Sequence, residues 1–309
     1  MEKIAVIDLG TNTFHLLIAE VEDSAITILH KERIPVKIGE GGINKGVITP
    51  QAYKRGENAL QYFSEIMNKY YVQNYCATAT SAFRNAANAH EIIDNYLMKT
   101  GIKINIISGD LEAQLIYEGV KQTLTFDSDE CYAIMDIGGG SVEFIICDDK
   151  QIHWKKSYEI GAQRLLTEFH QQDQITTDEL TSLRSYLNET LTELKEKLKE
   201  FNASVLIGAS GAFESVIEIS NFGNDAHGTL CTPISFQEFN DVYLDLIHKN
   251  VEERGQIPGL IPLRVEMIVV ALSLIDVTIT SHEFKSIFAS SYALKEGLIQ
   301  RLIHKVPVV

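Results

Sequence analysis

The chain is short of positive charge, of cysteine, tryptophan and proline, and it has no apolar run long enough to cross a bilayer. Against 42 Asp and Glu stand 27 Lys and Arg, a formal charge of −15. That balance argues against affinity for nucleic-acid polymers or anionic membranes. A phosphate-rich ligand would need cations gathered locally. Cys76, Cys131, Cys147 and Cys231 show no paired metal-ligand spacing, and each lies in or beside an apolar run. This argues for buried thiols in a reducing cytosol and against a zinc site or a disulfide framework. The most apolar stretch, Met267 to Ile279, is interrupted by Ser273 and Asp276. It is shorter than the roughly 20 residues a membrane span takes, so it predicts a buried helix. The first strand is expected from Lys3 or Ile4, which leaves no room for an export signal; a cytoplasmic location is expected.

What the chain does have is 309 residues, 45% of them hydrophobic, enough for two domains with their own cores. Its organising stretch runs from Tyr132 to Cys147. An apolar run stops at Asp136, then Gly138, Gly139, Gly140, Ser141 and Glu143 lead into a second apolar run. Strand, tight turn, strand is the expectation, with the backbone amides of the turn forming a nest for phosphate oxygens. Asp136 at its mouth would hold hydrated Mg2+. The competing view is a hairpin whose glycines serve only the turn.

A second copy weighs against that view. Ile4 to Ile18 has the same plan, with Asp8, Gly10, Thr11, Asn12 and Thr13 at the turn, which implies two similar lobes. Neither loop is a Walker loop or a dinucleotide fingerprint, because both would need a helix next and β-rich sequence follows instead.

Between the hairpins, Thr49-Pro50 opens a helix to about Tyr70, and a Gly39 to Gly46 loop would border a cleft. A strand at Asn74 to Ala79 runs into Thr80-Ser81-Ala-Phe-Arg84, where a hydroxyl would cap the next helix and Arg84 would attract an anion. Alternatively Arg84 is solvated or paired with Glu91. A strand at Ile102 to Ile107 ends at Ser108, with Glu112 in the first turn of the helix that follows. A first-turn carboxylate stabilises a helix dipole. Facing a phosphate, it would also orient or deprotonate a water.

In the second half, Ser141 and Glu143 would share one strand face, with Glu143 reaching the metal or water beside Asp136, or else lying on the solvent side. Arg164 is a second phosphate-ligand candidate, or an exposed helix residue. Thr176 and Glu179 predict a capping box for one long charged helix ending near Phe201, and Ser235 and Glu238 predict another. Gly208 to Ala212, including Ser210, is a third Gly/Ser turn that would meet the far end of a ligand or only join strand to helix. A strand is expected at Lys285 to Ala289 and a closing helix at Tyr292 to His304.

Taken in order, these pieces resemble the exopolyphosphatase and guanosine pentaphosphate phosphohydrolase family, a branch of the actin, hexokinase and acetate kinase superfamily. The resemblance rests on Asp8-Leu-Gly-Thr-Asn12-Thr-Phe-His, Ala79-Thr-Ser-Ala-Phe-Arg84, Ser108-Gly109 through Glu112-Ala113, and Asp136-Ile-Gly-Gly-Gly-Ser-Val-Glu143. Gly161 to Arg164, Gly208 to Gly211, Pro258-Gly-Leu260 with Arg264, and Lys295-Glu-Gly297 extend it over nearly the whole chain.

It implies an α/β fold of two ribonuclease-H-like lobes with an interdomain cleft. Residues 1–124, joined by the C-terminal helix 292–309, would form one lobe and 125–291 the other. It also implies Mg2+-dependent hydrolysis of the terminal phosphate of polyphosphate or guanosine pentaphosphate. Glu112 and Glu143 would be catalytic, with Asp136, Asp8 and Glu143 at the metal. Asn12, Thr13, Arg84, Gly138, Gly139, Gly140, Ser141, Arg164 and Ser210 would bind phosphate. A homodimer is left open.

The chain departs from the family pattern at Leu111 and Gln114, which flank Glu112, at Ala212, and at Ala293 and Lys295. A small-molecule kinase of the same superfamily and a catalytically weak nucleotide or alarmone sensor are the alternatives.

Overall fold

The computed structural model describes residues 2–22, 25–209, 211–223 and 229–308. The chain divides into two compact units: Met1–Gly119 with Gly138–Gly140 and Leu294–Val309, and Val120–Ile137 with Ser141–Ala293.

The first unit is built on strands β1 (Glu2–Leu9), β2 (Phe14–Glu22), β3 (Ala25–Ile34), β4 (Asn74–Ala79) and β5 (Asn105–Ile106). They form a sheet of order β3-β2-β1-β4-β5, antiparallel through β1, β2 and β3, then parallel to β4 and β5. Ile4 to Ile7 of β1 are all buried, as expected of a central strand covered on both faces. Helices α1 (Pro50–Tyr70), α2 (Ser81–Asn85), α3 (Ala89–Thr100) and α4 (Gly109–Val120) follow. Proline at the first turn and the Thr49 hydroxyl, which accepts from the Ala52 amide, start α1 as predicted.

The second unit has strands β6 (Tyr132–Ile137), β7 (Val142–Cys147), β8 (Ile152–Tyr158), β9 (Val205–Gly208), β10 (Cys231–Ile234) and β11 (Ser286–Ser290). Its order is β10-β11-β9-β6-β7-β8. Read from β8 to β11, it repeats the order and pairing sense of the first sheet, with β10 added antiparallel at the edge. Each unit is ribonuclease-H-like, and the duplication suggested by the paired hairpins is carried by both sheets.

Helices α5 (Ala162–Phe169), α6 (Thr177–Thr190), α7 (Thr192–Glu200), α8 (Gly211–Ser220), α9 (Phe236–Ile247), α10 (Val251–Gly255) and α11 (Ile268–Thr280) complete this unit. Both predicted capping boxes form, at α6 and α9. Helix α11 is buried nearly all round and centres the core. Among the described residues no helix is long and apolar enough to cross a membrane.

Several expectations need correction. The strand predicted at Ile102 to Ile107 shrinks to Asn105–Ile106, which pairs only with Thr78 and Ala79; Ile102 and Ile104 are buried in the core without a ladder. The long charged helix breaks at Leu191. There the Thr192 hydroxyl bonds the Glu189 carbonyl at 2.7 Å and Lys195 bonds the Asn188 carbonyl, drawing both away from the helical ladder. Strand β8 has no period-two signal in the sequence, because six of its seven residues are half-buried, without a clean alternation. Edge strand β10 carries Pro233, which disguised it. Thr80 does not cap α2 through its side chain; its hydroxyl instead reaches the Leu9 carbonyl at 3.5 Å. Cys131 and Cys231 are half-buried rather than buried.

The last helix, α12 (Leu294–Ile303), belongs to the first unit and packs on β1 and β4. Arg301 bonds both carboxylate oxygens of Glu118 at 2.8 Å, and Gln114 bonds the same carboxylate at 3.1 Å. Helices α4 and α12 approach so closely that a Cβ on Gly297 would fall 2.0 Å from the Leu115 carbonyl oxygen. Because that obstacle is backbone, it cannot swing aside. Gly297→Ala should therefore lower the unfolding free energy by about 2–3 kcal/mol, the cost of overpacking, in a urea titration. A change below about 0.5 kcal/mol, the surface-substitution range, would show that the two helices can separate at little cost.

Candidate active site

The carboxyl ends of β1, β4 and β5 lie side by side. The Thr80 amide donates to the Leu9 carbonyl at 3.4 Å and the Ile107 amide to Ala79 at 3.0 Å. Open α/β sheets bind ligands beyond such strand ends. After β4, α2 carries Arg84. After β5, Ser108 opens α4, its hydroxyl accepting from the Leu111 amide and its carbonyl from the Glu112 amide. Arg84 Nη1 donates to Glu112 Oε2 at 2.6 Å and to the Ile107 carbonyl at 3.2 Å. Their side chains are 14% and 9% exposed, so Arg84 is neither solvated nor given to Glu91. A carboxylate and a guanidinium buried this deeply are tolerable only when they are paired and hydrogen-bonded.

The first glycine turn is closed by the Gly10 amide donating to the Thr13 carbonyl at 3.1 Å. The following loop supports it from outside: the Lys37 amide bonds the Asn12 carbonyl at 2.7 Å and the Gly39 amide bonds Thr11 at 3.1 Å. Gly138–Gly140 groups with the first unit. A Cβ on Gly139 would lie 2.5 Å from Asn12 Nδ2, and one on Gly140 would lie 2.5 Å from both Ser81 Oγ and Thr11 Oγ1. Neither glycine has a positive φ. They are needed here for close approach to Asn12, Ser81 and Thr11, not for a left-handed backbone.

Asp8 lies directly across the ladder from His15 on β2 and from Thr78 on β4, and His15 lies opposite Arg33, so the four side chains form a row. Asp8 Oδ1 is shut off from solvent with no hydrogen-bond partner among the described residues. Burial raises its carboxyl from the ordinary 3.8 to about 6, against the opposing pull of Lys295 on α12. The same burial, then Lys295 and Arg33, hold His15 well below its ordinary value, so it is neutral at pH 7.

In the second unit Asp136 stands directly opposite Glu143, and Glu143 opposite Ser157, whose hydroxyl donates to Glu143 Oε1 at 2.6 Å. Glu143 is 1% exposed, which excludes the solvent side of the hairpin. Ser141 precedes β7 and is also buried. Arg164 donates to Glu159 at 3.1 Å with a side chain 13% exposed, so it is not a solvated helix residue. Ser210 lies outside the described residues.

Among the described residues no group of three or more His, Cys, Asp or Glu gathers to hold a metal. Mg2+ asks for less: one or two carboxylates, with water and substrate phosphate filling the other positions. The orphaned oxygen of Asp8 fits that demand, since a cation would restore the charge that burial disfavours.

Sequence reasoning did not single out Lys295 as a cation whose charge acts on Asp8, nor His15 as its cross-strand partner. The hairpin length gives the second, because a turn closed between Gly10 and Thr13 pairs Asp8 with His15. Gln114, a departure from the family pattern, is occupied in holding Glu118 and through it α12.

A sequence model described as the Ppx/GppA phosphatase family matches residues 17–306. The crystal structure of an exopolyphosphatase from Cytophaga hutchinsonii superposes with a TM-score of 0.95 at 36% identity, covering 99% of each chain. A bifunctional 3-dehydroquinate synthase/phosphatase of Fusobacterium nucleatum is 32% identical over 277 residues, 86% of this chain. A guanosine-5'-triphosphate,3'-diphosphate pyrophosphatase of Pseudoalteromonas translucida is 26% identical over 299 residues, 97% of this chain. The chain spans 41% and 59% of the lengths of these last two. With the fold, the ordered motifs and the family model in agreement, the chain belongs to the Ppx/GppA phosphatase family.

Proposed function

We propose that the protein releases orthophosphate from the end of short polyphosphate chains, with guanosine pentaphosphate as a second substrate. The observation that carries this reading is the buried Arg84–Glu112 pair: a phosphate-recognising cation held 2.6 Å from a carboxylate at a helix start. A terminal phosphate drawn to the guanidinium fork is thereby brought beside an acid able to direct water. Asn12, Thr13 and Ser141, with the amides of Gly138–Gly140, hold the chain end, and Arg164 and Ser210 take phosphates farther along.

Water then attacks the terminal phosphorus, its proton passes to Glu112, and the bridging P–O bond breaks toward the shortened chain. Asp8 and Asp136 would hold Mg2+, with Glu143 aligning water, and the ion would supply charge neutralisation on the transferred group. Ser157 fixes the Glu143 carboxylate for that task.

Orthophosphate release from tripolyphosphate and from guanosine pentaphosphate, in the presence of Mg2+, tests the reading. Glu112→Gln should cut kcat by at least about 100-fold, the usual worth of a general base. Activity retained within a few-fold would remove Glu112 from the mechanism. Transfer to an acceptor without orthophosphate release would favour the kinase alternative.

Asp8 gives a second check. Its folded-state value lies above the ordinary one, so its contribution to stability is present below about pH 4 and is lost as the pH rises through about 6. The loss is about 3 kcal/mol for a shift of this size. Metal-free Asp8→Asn should not show that decline, and at pH 7.5 it should melt above the wild type. Mg2+ should raise the wild-type melting temperature and leave that of the variant unchanged. Parallel pH profiles, or an equal response to Mg2+, would refute the assignment.

A further inference from the structure

Lys37 has a left-handed backbone, φ 48°, which costs a residue with a side chain on the order of 1 kcal/mol that glycine would not incur. The chain holds it there firmly. Its amide donates to the Asn12 carbonyl at 2.7 Å, while its own carbonyl accepts from Arg55 Nη2 at 2.8 Å and from the Glu40 amide at 3.1 Å. Arg55, on α1, also bonds the Val36 carbonyl at 2.6 Å and the Glu40 carboxylate at 2.8 Å. Val36 and Ile38, on either side, are buried in the core, and the Gly39 amide bonds Thr11. The segment 36–39 is therefore an outer layer of the first glycine turn, and a half-buried lysine is fixed in a strained conformation one hydrogen bond from Asn12.

We propose that Lys37 binds the phosphate next behind the terminal one and so selects condensed phosphate chains, with Arg55 as the residue that positions it. This rests on the phosphohydrolase reading. A chain with a net charge of −15 repels a polyanion unless cations are supplied locally. A lysine stem is long and flexible, and unlike an arginine fork it meets phosphate as a point charge without fixed geometry. The strain is explained if the side chain must leave the backbone at this place and in this direction.

The test is a steady-state series on tripolyphosphate and longer chains with Lys37→Met, Lys37→Arg and Lys37→Gly. Lys37→Met should raise KM about tenfold, the usual worth of one bond to a charged group, with kcat within about twofold. Lys37→Arg should restore KM, and the KM of the wild type should rise more steeply with salt than that of Lys37→Met. Lys37→Gly should show the same rise in KM while melting no lower than the wild type, which separates loss of charge from loss of the loop. An unchanged KM in Lys37→Met, or an equal rise in Lys37→Arg, overturns the proposal.

If the wild type hydrolyses neither substrate, the phosphohydrolase reading fails on its own. Calorimetric binding of tripolyphosphate then decides Lys37: about tenfold weaker binding by Lys37→Met supports it. Equal binding, or none by the wild type, overturns it.

Discussion

A buried carboxylate beside a buried guanidinium is the constraint around which the first unit is built. Glu112 and Arg84 lose their water on folding, and only a short, well-aimed bond offsets that loss. The aim comes from the scaffold. Strands β4 and β5 run parallel and end together, α2 leaves one and α4 the other, and Ser108 fixes the start of α4. Farther along α4, Glu118 is gripped by Arg301, and the absent side chain of Gly297 lets α12 approach to backbone contact. The last helix of the chain thus supports the helix that carries the acid, and through Lys295 it opposes the effect of burial on Asp8 and adds to it on His15.

The two sheets repeat one plan, yet their hairpins are furnished differently. The Gly10 turn is braced by segment 36–39 and by Arg55, and it places Asp8 in a polar row with Thr78, His15 and Arg33. The hairpin of the second sheet instead lines up Asp136, Glu143 and Ser157 across three strands. Duplication supplied equivalent positions. The first copy carries the Arg84–Glu112 pair, and the second carries a carboxylate pair tied by a serine.

What was legible in the sequence was local. The glycine hairpins, the proline-started α1 and the capping boxes at Thr176 and Ser235 are written within a few residues, and each forms. The ordered motifs carried the fold and the family further than periodicity alone. The Arg84–Glu112 bond was hidden because its partners sit on different helices and meet only when β4 and β5 become neighbours. The burial of Glu143 was hidden for the same reason, since it depends on β8, a strand that reads as neither alternating nor apolar. The break at Leu191 turns on competition between hydroxyl, lysine and amide groups for the same carbonyls, which helical spacing does not reveal. The strained lysine at position 37 had no local signal either, because any residue but glycine would look unremarkable there.

Hydrolysis of tripolyphosphate in water enriched in oxygen-18 tests the central claim most directly, because it asks where the attacking oxygen goes and whether Glu112 sends it there. One labelled oxygen should appear in each orthophosphate released from the chain end, and Glu112→Gln should form that labelled product at least about 100-fold more slowly. Unlabelled orthophosphate, label in the shortened chain instead, or an undiminished rate of labelled orthophosphate formation by the variant would contradict the account.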